Sequence, residues 1–303
     1  MNPFRQGICW YRPNMNPMHP IFRTMICALL LYTTTAHAQI VLETPNVESV
    51  LYLGPGKKQP LIVGLGGSEG GNAWTSDYWK PTRDQFIAEG YAFLALGYFN
   101  ADGTPDTLNR IAIDDVFQAI QKAAGHKQVN KRKIAIIGGS RGADLALLLG
   151  TYYKEIDCVV SIVGSNAVFP GHTNHFTTPC FTYQQQDLPF VPVNAAAVPY
   201  LMARNLRGAF EAMMQDTAAV QRAAIPVENL HGPVLFLSAT QDEICPSTPM
   251  ATSMMDRLTA NNFPYPFEHH AIEGRHAAPL QHFDLIFSFL DTHFKKRTKR
   301  TAK

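Results

Sequence analysis

The sequence from Lys131 to Leu147, KRKIAIIGGSRGADLAL, decides the fold of this chain. Its first half is a short apolar run typical of a buried strand, and its second half is typical of a helix that is apolar on nearly all sides. Gly138, Ser140 and Gly142 lie between them in a G-x-S-x-G pattern. In a strand-to-helix context this pattern predicts a nucleophile elbow, a sharp turn that exposes a serine hydroxyl.

The glycines of this turn have a steric explanation. A serine on a strained turn brings its backbone close to neighbouring elements, which leaves no room for side chains at Gly138 and Gly142. The helix that follows directs its free amides and its positive dipole end toward the place where an oxyanion would form. We therefore expect Ser140 to be the nucleophile; a glycine-rich turn without chemistry is the alternative interpretation.

Short β-rich runs alternate with helical patterns on both sides of this turn. That alternation predicts a mostly parallel, doubly wound sheet covered by helices, which together with the elbow indicates an α/β-hydrolase fold. The expected catalytic domain spans residues 39–294. We expect strands at 49–53, 60–65, 91–96, 133–137, 158–163, 234–238 and 267–272, and helices at 113–120, 143–153, 206–223, 247–258 and 283–290.

The stretch 165–205 interrupts this alternation. It contains five prolines and has no sustained hydrophobic period. Because a long irregular segment inside a compact domain is usually functional, we expect a cap over a substrate pocket. A surface insertion without a role is the alternative.

A carboxylate follows the expected strand 234–238. Asp242 comes just after the strand, where it could accept the Nδ1 proton of a histidine and hold the tautomer that deprotonates a serine. We expect Asp242 to be the triad acid. The neighbouring Glu243 is one alternative, and a purely structural role for Asp242 as a helix cap is another.

Five histidines follow that acid: His269, His270, His276, His282 and His293. The first two lie within an expected strand, and the last two belong to the final helical pattern. Only His276 lies in a loop that follows a strand. We therefore expect His276 to be the general base.

A glycine-rich loop after the expected strand 60–65 is the source of a second oxyanion donor. It contains Gly66, Gly67, Ser68 and two further glycines. We expect the backbone amide of Gly67 or Ser68 to complement that of Arg141, the residue after the nucleophile. A phosphate-binding loop is disfavoured because neither the P-loop pattern nor the dinucleotide pattern is present.

Several of these segments occur in one order that resembles a known family. They are 66–71, 90–99, the Ser140 turn, 225–234 and the segments around Asp242 and His276. Over residues 49–292 the chain resembles the catalytic domain shared by acyl-CoA thioesterases and bile acid-CoA:amino acid N-acyltransferase, close to dienelactone-hydrolase-like enzymes. The resemblance implies a Ser-Asp-His acyl-enzyme mechanism.

The first 38 residues have the features of a secretory signal peptide. Arginines precede an apolar stretch at 25–32, and Ala36-His37-Ala38 follows, while the first acidic residue is Glu43. This order predicts cleavage after Ala38 and a periplasmic or secreted protein. A mitochondrial transit peptide is the alternative, although it does not explain the A-x-A site. An exported enzyme would not normally meet acyl-CoA, so the resemblance implies the triad more directly than the substrate.

The composition excludes several classes of partner. A net charge of +2 with 46% apolar and 17% charged residues provides no global field for nucleic acid, and the basic run 295–303 is interpreted as a solvated tail. The apolar stretch 25–32 is too short to span a bilayer.

His172 and His175 have a spacing seen in metal sites, but without a third ligand we expect no metal. The mechanism also requires no organic cofactor.

Removal of the signal peptide would leave Cys158, Cys180 and Cys245. Cys158 lies in an apolar run and is expected to be buried. In an oxidising compartment, Cys180 with Cys245 is the one pair that we consider for a disulfide, with no disulfide as the alternative.

These features together predict a serine hydrolase that cleaves a small-molecule ester or thioester through an acyl-enzyme on Ser140. One alternative is an acyltransferase that passes the acyl group to an amine such as an amino acid. A non-catalytic binding protein with the same fold is the third hypothesis.

Overall fold

A computed structural model describes residues 38–296 of the chain. The expected signal peptide lies outside the described residues except for Ala38, as do residues 297–303 of the expected basic tail. Within 38–296, none of the helices combines the length and apolar character that a membrane span requires.

Within residues 38–296, eleven strands form one large and one small sheet. The large sheet has eight strands in the order β1-β2-β4-β3-β6-β7-β10-β11, and the small sheet has the order β5-β8-β9. In the large sheet, β2 is antiparallel to both of its neighbours and all pairs from β4 to β11 are parallel. The strands are β1 (Ala38–Leu42), β2 (Glu48–Leu53), β3 (Gln59–Leu65), β4 (Ala92–Gly97), β5 (Ile111–Ala112), β6 (Val129–Gly139), β7 (Cys158–Ile162), β8 (Phe181–Tyr183), β9 (Gln186–Asp187), β10 (Val234–Ala239) and β11 (Phe267–Ile272).

In the described part of the chain, eight α-helices accompany these strands. A π-helical turn, Leu290–Lys295, continues from the last of them. The helices are α1 (Lys80–Ala88), α2 (Ile113–Ala124), α3 (Arg141–Tyr152), α4 (Val198–Met202), α5 (Leu206–Met214), α6 (Thr217–Ala223), α7 (Ser247–Ala260) and α8 (Phe283–Phe289).

The core lies on both faces of the large sheet. Leu61 and Val63 of β3 belong to one buried apolar cluster, whereas Ile62 between them belongs to the other. All three side chains are fully buried. This arrangement explains the continuous apolar strands of the sequence, because a parallel sheet covered by helices buries both of its faces.

Every strand that the sequence predicts is present, and two expected elements differ in detail. The helix expected at 206–223 is two helices, because Asp216 begins α6 by accepting a hydrogen bond from the amide of Ala219 at 2.9 Å. The segment 165–205 is less irregular than expected, since it contains β8, β9 and α4. β1, which pairs antiparallel with β2, was not expected.

All three cysteines after residue 38 are buried free thiols. The Sγ atom of Cys180 donates to the carbonyl of Pro170 at 3.1 Å, and that of Cys245 lies 3.9 Å from the carbonyl of Val163. The disulfide considered between Cys180 and Cys245 is therefore not formed in this structure.

Candidate active site

Ser140 forms the whole connection between β6 and α3. The strand ends at Gly139 and the helix begins at Arg141, so Ser140 turns the chain with φ of 53° and ψ of −122°. A non-glycine residue in this region costs about 1–3 kcal/mol and persists only where the surroundings impose it. The structure thus has the strained turn that the G-x-S-x-G pattern predicts.

Close backbone approach explains the two flanking glycines. A Cβ atom on Gly138 would lie 2.0 Å from the carbonyl oxygen of Gly142, and one on Gly142 would lie 2.2 Å from that of Gly66. Both distances are far shorter than any tolerated contact. By contrast, a Cβ atom on Gly139 would meet nothing within 4 Å.

Asp242 and His276 form a hydrogen-bonded pair at the carboxyl edge of the sheet. Asp242 follows β10 and is fully buried, and His276 follows β11. The imidazole Nδ1 lies 2.8 Å from Oδ1 and 2.9 Å from Oδ2 of the carboxylate. The helix-cap alternative for Asp242 is wrong, because α7 begins at Ser247 with Pro246 at its N-cap position.

The carboxylate of Asp242 is held in its ionised form. Burial by itself raises the pKa of Asp242, but hydrogen bonds from His276 and Ser247 outweigh it and leave the pKa below its ordinary value. The backbone amides of Ile244 and Cys245 also donate to Oδ1, at 2.9 and 3.1 Å. An ionised carboxylate in this position favours the tautomer of His276 that has its proton on Nδ1.

Glu243 contacts the backbone of His276 instead of its imidazole. Its Oε2 atom accepts the backbone amide of His276 at 2.9 Å, and its Oε1 atom lies 3.2 Å from Nε of Arg275. A further backbone bond, from the amide of Gln241 to the carbonyl of Gly274 at 2.8 Å, joins the same two loops. Glu243 is therefore placed to hold the histidine loop and not to orient the ring.

Three of the other four late histidines have side-chain partners elsewhere. His269 Nε2 lies 2.8 Å from the hydroxyl of Ser238, and His293 Nε2 lies 3.0 Å from Glu268. His270 also contacts Glu268. Of the five histidines after Asp242, only His276 lines the cavity that contains Ser140.

Ser140 and His276 lie on the wall of a cavity of about 420 Å³. No hydrogen bond joins the two side chains in this conformation, and such contacts commonly tighten only when substrate binds. The wall is largely apolar and aromatic, which suits an acyl group. The expected cap segment 165–205 contributes Ser165, Pro170, His172, Phe176, Val193 and Leu201 to it.

The expected oxyanion donors differ in availability. The amide of Gly67 donates to Oε1 of Glu69 at 2.9 Å, so in this conformation it is occupied. The amide of Ser68 makes no hydrogen bond within residues 38–296, and Ser68 lines the cavity. Arg141 is the first residue of α3, where a helix leaves its amide without an intrahelical acceptor. Ser68 and Arg141 are therefore the available pair.

Asp242, Cys245 and His276 are the one group in the described chain whose spacing would suit a metal ion, with ligand atoms within 4.8 Å of one another. Burial, reinforced by Asp242, raises the pKa of the Cys245 thiol well above its ordinary value, so it stays protonated. The carboxylate of Asp242 and the imidazole of His276 in this group are the atoms that form the hydrogen-bonded pair described above. His172 and His175 do not belong to it.

Two contacts near the site were not predicted from the sequence. Nη1 of Arg207, on α5, donates to the backbone carbonyl of Asp242 at 2.6 Å. Nη1 of Arg141 pairs with Asp144 at 3.1 Å. The first joins residues 35 positions apart and leaves no local signal. The second has the i, i+3 spacing of a helical ion pair, which was the available signal.

Comparison with curated proteins identifies mammalian enzymes of acyl-CoA metabolism. The chain is 27% identical over 235 residues to acyl-coenzyme A amino acid N-acyltransferase 1 of Mus musculus, covering 75% of this chain and 52% of that protein. It is 29% identical over 219 residues to acyl-coenzyme A thioesterase 1 of Rattus norvegicus, covering 71% and 48%. The chain thus spans about half the length of these relatives.

Solved structures with the same fold include an acylaminoacyl peptidase from Pyrococcus horikoshii, with a TM-score of 0.62, 13% identity and coverage of 88% of this chain and 43% of that one. An esterase from Pyrococcus furiosus has a TM-score of 0.58 at 15% identity, with coverage of 85% and 91%. Both confirm the α/β-hydrolase fold.

The model of the family described as BAAT / Acyl-CoA thioester hydrolase C terminal matches residues 117–272. The chain belongs to that family.

Proposed function

We propose that this chain is a serine hydrolase that cleaves an ester or thioester through an acyl-enzyme on Ser140. One observation carries the proposal: Ser140, held at φ of 53° on the strand–helix turn, shares a cavity wall with a histidine whose Nδ1 is bonded to a buried carboxylate. The identities of two relatives as a thioesterase and an acyltransferase support the same chemistry.

The proposed reaction has two half-reactions. In the first, Nε2 of His276 takes the proton of Ser140 as Oγ attacks the carbonyl carbon, and the imidazolium then protonates the leaving group. Asp242 stabilises that imidazolium through Nδ1. The amides of Arg141 and Ser68 hold the oxyanion of each tetrahedral intermediate. Water, activated by His276, then releases the acyl group and restores the Ser140 hydroxyl.

A fluorophosphonate probe tests the nucleophile directly. We expect it to label the native protein on the peptide that contains Ser140 and to leave the Ser140→Ala variant unlabelled. Labelling of the variant at the wild-type rate would remove Ser140 from the mechanism. Absence of labelling in both would favour the non-catalytic binding protein.

The proposal also includes the kind of acyl group and leaving group that the enzyme accepts. We expect thioesters and activated esters to be substrates, because the cavity is chiefly apolar and the relatives act on acyl-coenzyme A. We also propose that segment 165–205 is the cap of this pocket, since it supplies part of the cavity wall. Rates for p-nitrophenyl esters and acyl thioesters of graded chain length would define both groups.

An acyltransferase is the second candidate, favoured by the likeness to an amino acid N-acyltransferase. In that case an amine instead of water would resolve the acyl-enzyme. Product analysis with and without added glycine separates the two, because a transferase forms the N-acyl amino acid and a hydrolase forms the free acid in both mixtures.

We further propose that the protein is exported. The arginines, apolar stretch and A-x-A site of residues 1–38 support this, and cleavage after Ala38 would remove only the first residue of β1. N-terminal sequencing of the protein from the extracytoplasmic fraction of its host should begin at Gln39. Recovery of the uncleaved chain from the cytosol would contradict export.

A further inference from the structure

The guanidinium of Arg141 is enclosed beside the proposed nucleophile. Its side chain is 10% exposed, and the residue lines the cavity. Nη1 lies 3.1 Å from Oδ2 of Asp144, and the guanidinium carbon lies 5.6 and 5.4 Å from the ring centres of Phe169 and Phe210. An Arg141–Asp144 ion pair is therefore held in a nearly dry, aromatic part of the wall.

Both oxygens of the Asp144 carboxylate accept a hydrogen bond, whereas only one of the three guanidinium nitrogens of Arg141 donates one. Oδ1 of Asp144 accepts the backbone amide of Ser165 at 2.6 Å, and Oδ2 accepts from Arg141. Within residues 38–296, Nε and Nη2 of Arg141 have no hydrogen-bond acceptor. Neither nitrogen is a fully enclosed unpaired donor, so a ligand in the cavity can reach both. Hydrogen bonds between a guanidinium and an anionic acceptor are stronger than those between neutral groups.

The two free nitrogens define the shape of that ligand. Nε and Nη2 of an arginine are adjacent and parallel, and they match the two oxygens of a carboxylate in a bidentate pair. Asp144 occupies Nη1 and so leaves this edge of Arg141 open. A hydroxyl or a single carbonyl would satisfy only one of the two donors.

His172 lies on the same cavity wall without adding a charge. Burial, reinforced by the charge of Arg141, lowers the pKa of His172 to about 4, so its imidazole is neutral at neutral pH. A neutral imidazole offers one further N–H donor. The remaining charge on the wall, the carboxylate of Glu69, lies beside Gly67 and would repel an anion from that side.

We propose that Arg141 determines substrate specificity and that the site takes acyl groups with a free carboxylate, as in monothioesters or monoesters of dicarboxylic acids. The reacting carbonyl lies at Ser140, and the distal carboxylate pairs with Nε and Nη2 of Arg141. Both residues line the same cavity, so a short chain of methylene groups would link the two ends of such an acyl group. This inference rests on the proposed hydrolase function and names its substrate class.

Three matched thioesters of N-acetylcysteamine test the preference: adipoyl, its methyl ester, and hexanoyl. Release of the thiol gives kcat/KM for each. We expect the wild-type protein to favour adipoyl over both neutral analogues on the order of 10-fold or more, since charged hydrogen bonds are among the strongest available. Equal values for the three thioesters would overturn the proposal.

Variants of Arg141 assign the preference to its side chain. Arg141→Met should lose the adipoyl preference, and Arg141→Lys should retain part of it, because the charge remains without the paired donors. The double variant Arg141→Met with Asp144→Asn avoids leaving a buried carboxylate unpaired. Arg110→Met is the matched control, since Arg110 pairs with Asp187 at the surface and does not line the cavity.

Calorimetric binding of adipate and hexanoate to Ser140→Ala separates failure of this inference from failure of the proposed function. Adipate should bind more tightly than hexanoate, and Arg141→Met in the same background should abolish the difference. Hydrolysis of all three thioesters with no adipate preference in binding would contradict the inference alone. Arg141-dependent adipate binding without hydrolysis of any thioester would contradict the proposed function and leave the subsite in place.

Discussion

The Nδ1 atom of His276 lies 2.8 and 2.9 Å from the two carboxylate oxygens of the fully buried Asp242. Two loops, which follow the neighbouring parallel strands β10 and β11, bring these residues together. The pair needs no movement to orient the imidazole. In the proposed mechanism, substrate binding would complete the approach of the imidazole to Ser140.

Replacing each of the two adjacent carboxylates by its amide should separate the roles of Asp242 and Glu243. Asp242→Asn should lower kcat on the order of 10⁴-fold, because an amide at this position favours the wrong histidine tautomer. Glu243→Gln should cost far less, since its amide oxygen can still accept the backbone amide of His276. Steady-state kinetics with an activated ester measures both. A larger loss for Glu243→Gln would exchange the two assignments.

The pH dependence of kcat/KM should report the histidine base. Activity should fall as the pH drops below neutrality, because an imidazolium cannot accept the proton of Ser140. Asp242 does not account for this fall, because its pKa lies below the ordinary carboxyl range and it stays ionised through it. His276→Ala should remove the fall together with most of the activity.

Single variants His269→Ala, His270→Ala and His282→Ala are the controls for that profile. None of these residues lines the cavity, so each variant should retain the fall at low pH. A wild-type profile in His276→Ala would assign the base to another residue.

The glycines of the elbow should differ in their tolerance of a methyl group. Gly138→Ala should lower the free energy of unfolding by about 3 kcal/mol or more, because its Cβ would overlap the Gly142 carbonyl at 2.0 Å. Gly139→Ala, whose Cβ meets nothing within 4 Å, should change it by less than about 1 kcal/mol. Urea unfolding of both variants gives the comparison. Equal stabilities would contradict the close approach.

The sequence predicted the elements whose signals are local. Buried strands such as β3 appear as apolar runs, and the Ser140 turn appears as a glycine pattern between a strand and a helix. Chain order then selected Asp242 and His276. The break between α5 and α6 also had a local signal, the capping residue Asp216, which the continuous helical pattern obscured.

Other features depend on contacts between distant segments or on side-chain geometry. The donation from Arg207 to the Asp242 carbonyl requires the packing of α5 against a loop far along the chain. The hydrogen bond from the Gly67 amide to Glu69 depends on the conformation of a glycine-rich turn. Glycines allow such a turn several backbone conformations, so the sequence does not select one. β1 adjoins the expected cleavage site, where composition indicated a signal peptide and not a strand.

Removal of the Ser140 hydroxyl should abolish covalent catalysis. Ser140→Ala should lower kcat on the order of 10⁴-fold or more, because the oxyanion donors and substrate binding alone provide only residual rate enhancement. Folding should be little changed, since the hydroxyl makes no hydrogen bond within the described chain. Circular dichroism and urea unfolding of the variant serve as the control, and near-normal turnover would contradict the assignment.

The most direct measurement is mass spectrometry of the protein quenched with acid during the first turnovers of p-nitrophenyl butyrate. We predict a butyryl adduct on the peptide that contains Ser140, formed in a burst with p-nitrophenolate and absent from Ser140→Ala. Steady turnover with no adduct on that peptide, or the same adduct on another residue in both proteins, would contradict an acyl-enzyme on Ser140.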